Sequence, residues 1–274
     1  MNWKSVLSLV SLAALGAAPI LAELYSANPQ GVGMGHMHVL TRDIEAQKKF
    51  FLDAFGGKVV KNGPIEMIEY PGVYVLFTKA DNPPGSKGSV VNHFGFTVKD
   101  MPGSIEKWKS LNLKIEPTAN PNEVFVIGPE EMRLEVYGIP EQAEPIVMNH
   151  IHWDSPDIPG MQAWYDKMFS ATAGQRDCVA CLPRKVPLEE GRLPRTSLSF
   201  SKGAPTLVGT KGRALDHIGF EVKNLEAFIK TLEAKGVKMD SQVQKVQGAD
   251  LKIAFLTDPW GTYIELTEGL APKK

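Results

Sequence analysis

The sequence predicts an α+β protein of four β-α-β-β-β modules grouped in two pairs. Three observations predict it. A histidine-headed strand recurs four times, a helix-capping residue follows each histidine at one fixed distance, and all six histidines of the chain fall in these strands. The copies are "HMHVLTRD" (36–43), "HFGFTVKD" (93–100), "HIHWDSPD" (150–157) and "HIGFEVKN" (217–224). Such recurrence marks one supersecondary unit used repeatedly.

Each unit opens as a strand, with apolar residues on alternate positions. Phe94, Phe96 and Val98 oppose His93, Gly95 and Thr97, and Ile218, Phe220 and Val222 oppose His217, Gly219 and Glu221. Asp43, Asp100, Asp157 and Asn224 then read as N-caps, because an amphipathic stretch follows each. The helical stretches are "IEAQKKFFLDAFGG", "MPGSIEKWKSLN", "IPGMQAWYDKMFS" and "LEAFIKTLEAKG". Strand-like runs complete the units, among them "GVYVLFTK", "EVFVIG", "MRLEVYG", "LKIAFLT" and "TYIELTE". The stretch 172–196, rich in Pro, Gly and charge, reads as a surface excursion in the third unit.

A second order of repetition groups the units in pairs. Units one and three carry His-x-His, whereas units two and four carry His-x-Gly and end in an acid-bearing strand. This predicts a first two-module domain at 34–139 and a second at 148–270, divided near "GIPEQAEPIV".

The N-terminus reads differently. Lys4, an apolar run and small residues before Glu23 have the layout of a secretory signal peptide over residues 1–22. The expectation is an exported protein, periplasmic or secreted, with no stable membrane insertion after cleavage. In that setting Cys178 and Cys181, the only cysteines, are free to form a disulfide. A formal net charge of −1 does not suggest a nucleic-acid partner, which would usually demand a basic face.

Parity turns the histidines into a site. In the closing strands, Arg133, Glu135 and Tyr137 share one face, as do Tyr263, Glu265 and Thr267. Two histidines and one glutamate would therefore converge inside a curved sheet in each half. Two imidazoles and a carboxylate suit Fe(II), and also accept Mn, Ni, Co or Zn. Three protein ligands leave positions open for water and substrate. Trp153 falls on the helix-facing side and reads as core, as does Trp260 in the turn before Glu265. Arg133 and Tyr263 face inward, where they would hold an anionic substrate.

These features, with the ending "DPWGTYIEL" (258–266), resemble the vicinal oxygen chelate superfamily of glyoxalase I, fosfomycin- and bleomycin-resistance proteins and extradiol dioxygenases. The resemblance covers about residues 34–270. It implies modules paired into two cupped, barrel-like sheets, the glyoxalase/bleomycin resistance/dihydroxybiphenyl dioxygenase fold, around a divalent metal. Carried over by position, it implies ligands His36, His93 and Glu135 in the first half and His150, His217 and Glu265 in the second. His38 and His152, on the same inward faces, read as substrate contacts, acid–base groups or alternative ligands, or as hydrogen-bonded wall residues.

Two departures shape the expected function. Glyoxalase I takes a fourth carboxylate ligand from the last strand of its first module, but "GVYVLFTK" and "TSLSFSK" contain no acid, leaving Glu66 and Glu69 as substitutes. Extradiol enzymes carry a tyrosine where Phe255 stands and a histidine shortly before it, which "SQVQKVQGADL" lacks. The leading expectation is an exported metal-dependent enzyme acting as a Lewis acid on a small oxygen-rich substrate, by isomerase, lyase or addition chemistry. His38, His152 or Glu221 would move the proton. The rivals are a ligand-sequestering protein of the bleomycin-resistance type and an atypical extradiol-type dioxygenase.

Overall fold

All four residues read as caps do cap helices. Asp43 Oδ1 accepts from Ala46 N at 3.0 Å, Asp100 Oδ1 from Gly103 N at 3.0 Å, Asp157 Oδ1 from Gly160 N at 3.0 Å, and Asn224 Oδ1 from Ala227 N at 2.9 Å. Each bond satisfies an N–H that the first helical turn leaves open. The computed structural model describes residues 24–171 and 196–272. The expected leader and the Cys178–Cys181 pair lie outside the described residues.

Unit one contributes β1 (Val32–Thr41), α1 (Ile44–Phe55), β2 (Lys58–Asn62), β3 (Ile65–Tyr70) and β4 (Val73–Lys79). Unit two contributes β5 (Val91–Val98), α2 (Met101–Ser110), β6 (Lys114–Pro117), β7 (Glu123–Ile127) and β8 (Arg133–Gly138). From unit three come β9 (Ile146–Ser155), α3 (Ile158–Phe169) and β10 (Ser197–Lys202). Unit four contributes β11 (Leu215–Val222), α4 (Leu225–Ala234), β12 (Gln244–Lys245), β13 (Lys252–Thr257) and β14 (Tyr263–Glu268). The fold is α+β with two curled sheets.

The pairing of units departs from the sequence expectation. One sheet runs β12-β13-β14-β11-β1-β4-β3-β2 and joins unit four to unit one. The other runs β10-β9-β5-β8-β7-β6 and joins unit three to unit two. The seams are the antiparallel ladders β1–β11 and β5–β9. Residues 34–139 and 148–270 therefore do not each own a sheet. Strand alternation fixes which face a residue takes but carries no information about which histidine strand lies alongside.

The apolar faces of both sheets meet the helices in a shared core. Phe51 and Phe55 of α1 pack on Phe77 of β4 in one sheet and on Phe94 and Phe96 of β5 in the other. Phe169 of α3 likewise lies 4.8 Å from Phe220 of β11, ring to ring. Trp153 is fully buried and donates from Nε1 to Thr262 Oγ1 at 3.0 Å, and Trp260 packs against this core. Full burial of one such aromatic side chain contributes about 1.5–3 kcal/mol. With their apolar partners turned to the helices, the histidines take the opposite face of each sheet.

Candidate metal centres

The seams bring the histidines together. Across β1–β11, His38 faces His217 and His36 faces Gly219, and parallel pairing places Glu265 of β14 on the other side of Gly219. Across β5–β9, His152 faces His93 and His150 faces Gly95, with Glu135 of β8 beyond it. Each glycine thus sits between an imidazole and a carboxylate. A Cβ at Gly219 would lie 2.0 Å from His36 Nδ1, and one at Gly95 would lie 2.2 Å from His150 Cε1.

Two groups of donors result: His36, His38, His217 and Glu265, and His93, Glu135, His150 and His152. Within each group the donor atoms lie within 4.8 Å of one another. The expected partition by halves is overturned at one point. His36 shares its centre with His217 and Glu265, and His150 shares its centre with His93 and Glu135. All six residues expected as ligands fall within these two groups, drawn from different pairs of units.

In the first centre, Glu265 Oε2 lies 3.0 Å from His36 Nε2 and 2.8 Å from His217 Nε2. In the second, Glu135 Oε2 lies 2.9 Å from His150 Nε2 and 3.4 Å from His93 Nε2. The Nε2 atoms of His36, His93 and His150 are buried and make no hydrogen bond despite these short approaches. A buried imidazole nitrogen without a hydrogen-bond partner demands an explanation. Donor atoms gathered within 4.8 Å of one another supply it, since the ligands of a cation are clustered in this way. The residues therefore fit a divalent metal held by two imidazoles and one carboxylate.

Burial governs the electrostatics. It pushes the imidazoles of His36 and His152 below their ordinary value and His38 well below it, with the neighbouring histidines adding to the effect on His38 and His152. His93 is driven down to about 3. His217 is the exception: burial opposes its charge, but hydrogen bonds to Asp216 and Glu265 outweigh that and raise it. For Glu265 and Glu135, burial favours the neutral acid, yet the paired histidines win and hold both well below the usual carboxylate range.

His38 and His152 occupy matching places. His38 Nε2 bonds Thr78 Oγ1 of β4 at 2.8 Å, and His152 Nε2 bonds Ser201 Oγ of β10 at 2.8 Å. Their rings lie 4.3 Å from His217 and 4.6 Å from His93. In place of a fourth carboxylate, the last strand of each of these units thus carries a hydroxyl that orients an extra histidine.

Three glutamates expected at or near the site fall elsewhere. Glu221 accepts from Thr267 Oγ1 at 2.5 Å and from the backbone N–H groups of Gly269 and Leu270 at 2.7 and 3.2 Å. It ties down the end of β14 and belongs to neither donor group, away from the proton-moving position that the sequence suggested. Glu66 pairs with Lys48 and Lys61 at the surface, and Glu69 meets Tyr74 at 3.4 Å; neither joins a centre. The two inward-facing residues expected to hold an anion do border the centres. Arg133 flanks the second, stacked over Phe125 at 4.0 Å and bonded to Asn92 Oδ1 at 2.9 Å. Tyr263 lies 5.6 Å from the His217 ring, with Lys211 Nζ 4.2 Å above it.

Parity missed the residues immediately before the histidines. The seam registers slip at Gly35, Asp216, Asn92 and Asn149, where each is passed over by the ladder. Such bulges re-aim side chains near functional sites. Asp216 Oδ1 meets His217 Nδ1 at 2.6 Å, Asn92 Oδ1 meets His93 Nδ1 at 2.9 Å, and Asn149 Oδ1 meets His150 Nδ1 at 2.8 Å. In a regular strand these residues would point to the core. An Asn or Asp directly ahead of three histidines was the available signal.

The family model of the Glyoxalase/Bleomycin resistance protein/Dioxygenase superfamily matches residues 90–266. The chain belongs to that superfamily. No curated protein matches it. Among solved structures, glyoxalase I from Zea mays is similar at 18% identity, with a TM-score of 0.65 over 87% of this chain and 92% of the maize chain. A Bacillus subtilis protein named as a dioxygenase is similar at 12% identity, with a TM-score of 0.65 over 88% and 86% of the two chains. At these identities the likeness establishes the shared fold.

Proposed function

We propose that the protein is an exported metal-dependent enzyme that acts on a small, oxygen-rich substrate, with one divalent metal in each cup. His36, His217 and Glu265 would hold one ion, and His93, His150 and Glu135 the other. The observation that carries this reading is the set of buried Nε2 atoms that converge beside a carboxylate without hydrogen bonding. When bound, the metal supplies Lewis acidity to the substrate's vicinal oxygens. Three protein ligands leave room for both of those oxygens.

The chain's own residues supply the proton transfer. His38 and His152, uncharged through burial, are bases within reach of a substrate held at the metal. Thr78 and Ser201 fix their ring orientation. Glu265 and Glu135, fully ionised, stay ligands rather than acids. This division suits isomerase, lyase or addition chemistry through an oxyanion. Export rests on the layout of residues 1–22, and among the described residues no helix is long and apolar enough to cross a membrane.

The test is metal stoichiometry on mature protein purified without chelator, followed by anaerobic reconstitution with Fe, Mn, Ni, Co and Zn. The expected result is two ions per chain, and turnover of a 2-oxygenated substrate that disappears with both. Uptake of oxygen with catechols would move the assignment to a dioxygenase. No metal under any condition would leave a ligand-sequestering protein.

A further inference from the structure

The four bulge positions do not carry equivalent residues. In the first centre, Asp216 presents a carboxylate to His217 Nδ1 at 2.6 Å. Its other oxygen is anchored by the backbone N–H of Gly212 at 2.5 Å, and the residue is 7% exposed. In the second centre the corresponding residue is Asn92, whose neutral Oδ1 serves two donors at once. It meets His93 Nδ1 at 2.9 Å and accepts from Arg133 Nη1 at 2.9 Å, while its Nδ2 donates to Asp154 Oδ2 at 2.9 Å.

This difference acts directly on the ligand nitrogen. A carboxylate on Nδ1–H fixes the tautomer that leaves the Nε2 lone pair free for a metal, and raises the basicity of that nitrogen. A neutral amide oxygen already engaged by a guanidinium does both more weakly, because a charge-assisted bond is roughly twice as strong as a neutral one. The opposing contribution comes from the other imidazole in each cup. His150 Nδ1 has Asn149, whereas His36 Nδ1 follows Gly35 and is buried without a hydrogen-bond partner. A neutral amide there is the smaller effect, so the Asp216 contact decides the order.

Resting on the reading of both cups as metal centres, we propose that they are of unequal affinity. Asp216 acts as a positioning residue that makes the His36/His217/Glu265 centre the tight one. Asn92, shared with Arg133, leaves the His93/His150/Glu135 centre as the weaker and more readily exchanged one. Both residues act through a histidine and neither touches the metal.

The test is titration of Zn(II) into metal-stripped full-length mature protein against a chromophoric chelator. Glu265→Gln and Glu135→Gln assign each binding step to its cup. Wild type is expected to fill in two separated steps, the Glu265 cup first. Asp216→Asn is expected to weaken that step about 10- to 100-fold and leave the other in place. Asn92→Asp is expected to strengthen the second step, a gain that damage to the fold does not mimic. Circular dichroism of each metal-free variant checks that it is folded. Two zinc ions bound with equal affinity, or two steps indifferent to both Asp216→Asn and Asn92→Asp, would overturn this inference alone. No zinc in either cup would overturn the metal-enzyme reading along with it.

Discussion

Gly219 lies directly opposite His36 across the β1–β11 seam, and the imidazole occupies the space where a side chain at 219 would begin. Gly95 stands in the same relation to His150 across the β5–β9 seam. The glycine of each His-x-Gly strand therefore makes room for the histidine of the neighbouring strand, not for its own. That relation ties the two parts of each centre together through a seam between separate units.

Gly219→Ala should displace the His36 ring and empty one centre while the other stays filled. A methyl 2.0 Å from a buried ring nitrogen has no flexible chain end to push aside. Overpacking of this kind costs about 1–3 kcal/mol. Gly95→Ala should do the same to the second centre. Zinc stoichiometry measured beside a thermal melt checks both; retention of two ions in either variant would count against this geometry.

Double variants distinguish the observed partition from the one expected by halves. His36→Ala and His217→Ala should each remove the same ion, and together remove no more than one. His36→Ala with His93→Ala should remove both. Elemental analysis of the purified proteins reads the result directly, and the reverse pattern would restore the grouping by halves.

The pH dependence differs between the centres. His217 is raised, so a proton competes with metal for it from above its ordinary value of 6.5 downward. In the metal-free protein that proton is stabilising: the contribution is fully present below about 6.5 and is lost as pH rises through the elevated value. His93, lowered to about 3, is already neutral in this range. Zinc uptake just above pH 6.5 should therefore release a proton from His217, seen as a buffer-dependent heat. Asp216→Asn should reduce that heat by weakening the bond that raises His217.

Much of this was legible in the sequence because it is local. Alternation in "HFGFTVKD" and "HIGFEVKN" placed His93 and His217 opposite the apolar face, and the acid or amide seven residues on marked the helix start. The pairing of units was not legible. β1 and β9 both offer His-x-His and β5 and β11 both offer His-x-Gly, so each seam could be drawn with either partner on pattern alone. The orienting residues were hidden for a different reason. A bulge at Asp216, Asn92 or Asn149 breaks the period of two on which parity depends, and it does so at the residues that bond the histidines.

Asp258 shows how the ending "DPWGTYIEL" supports Glu265. Its Oδ1 accepts from the backbone N–H groups of Trp260 at 2.9 Å and Thr262 at 2.7 Å, and its Oδ2 accepts from the Tyr165 hydroxyl at 2.9 Å. These bonds close the turn that delivers β14, with Tyr165 completely buried. Burial raises the Asp258 carboxyl, and the hydrogen bonds only partly offset it. Asp258→Ala removes all three bonds, at a cost of about 3 kcal/mol. Asp258→Asn keeps an acceptor for the turn and offers a donor to Tyr165, so its cost should be nearer about 1 kcal/mol. Because β14 carries Glu265, the alanine variant should also weaken zinc binding in that cup and spare the Glu135 cup. Urea denaturation and a two-step zinc titration measure the two effects, and equal weakening of both cups would mean that the turn stabilises the fold without positioning the ligand.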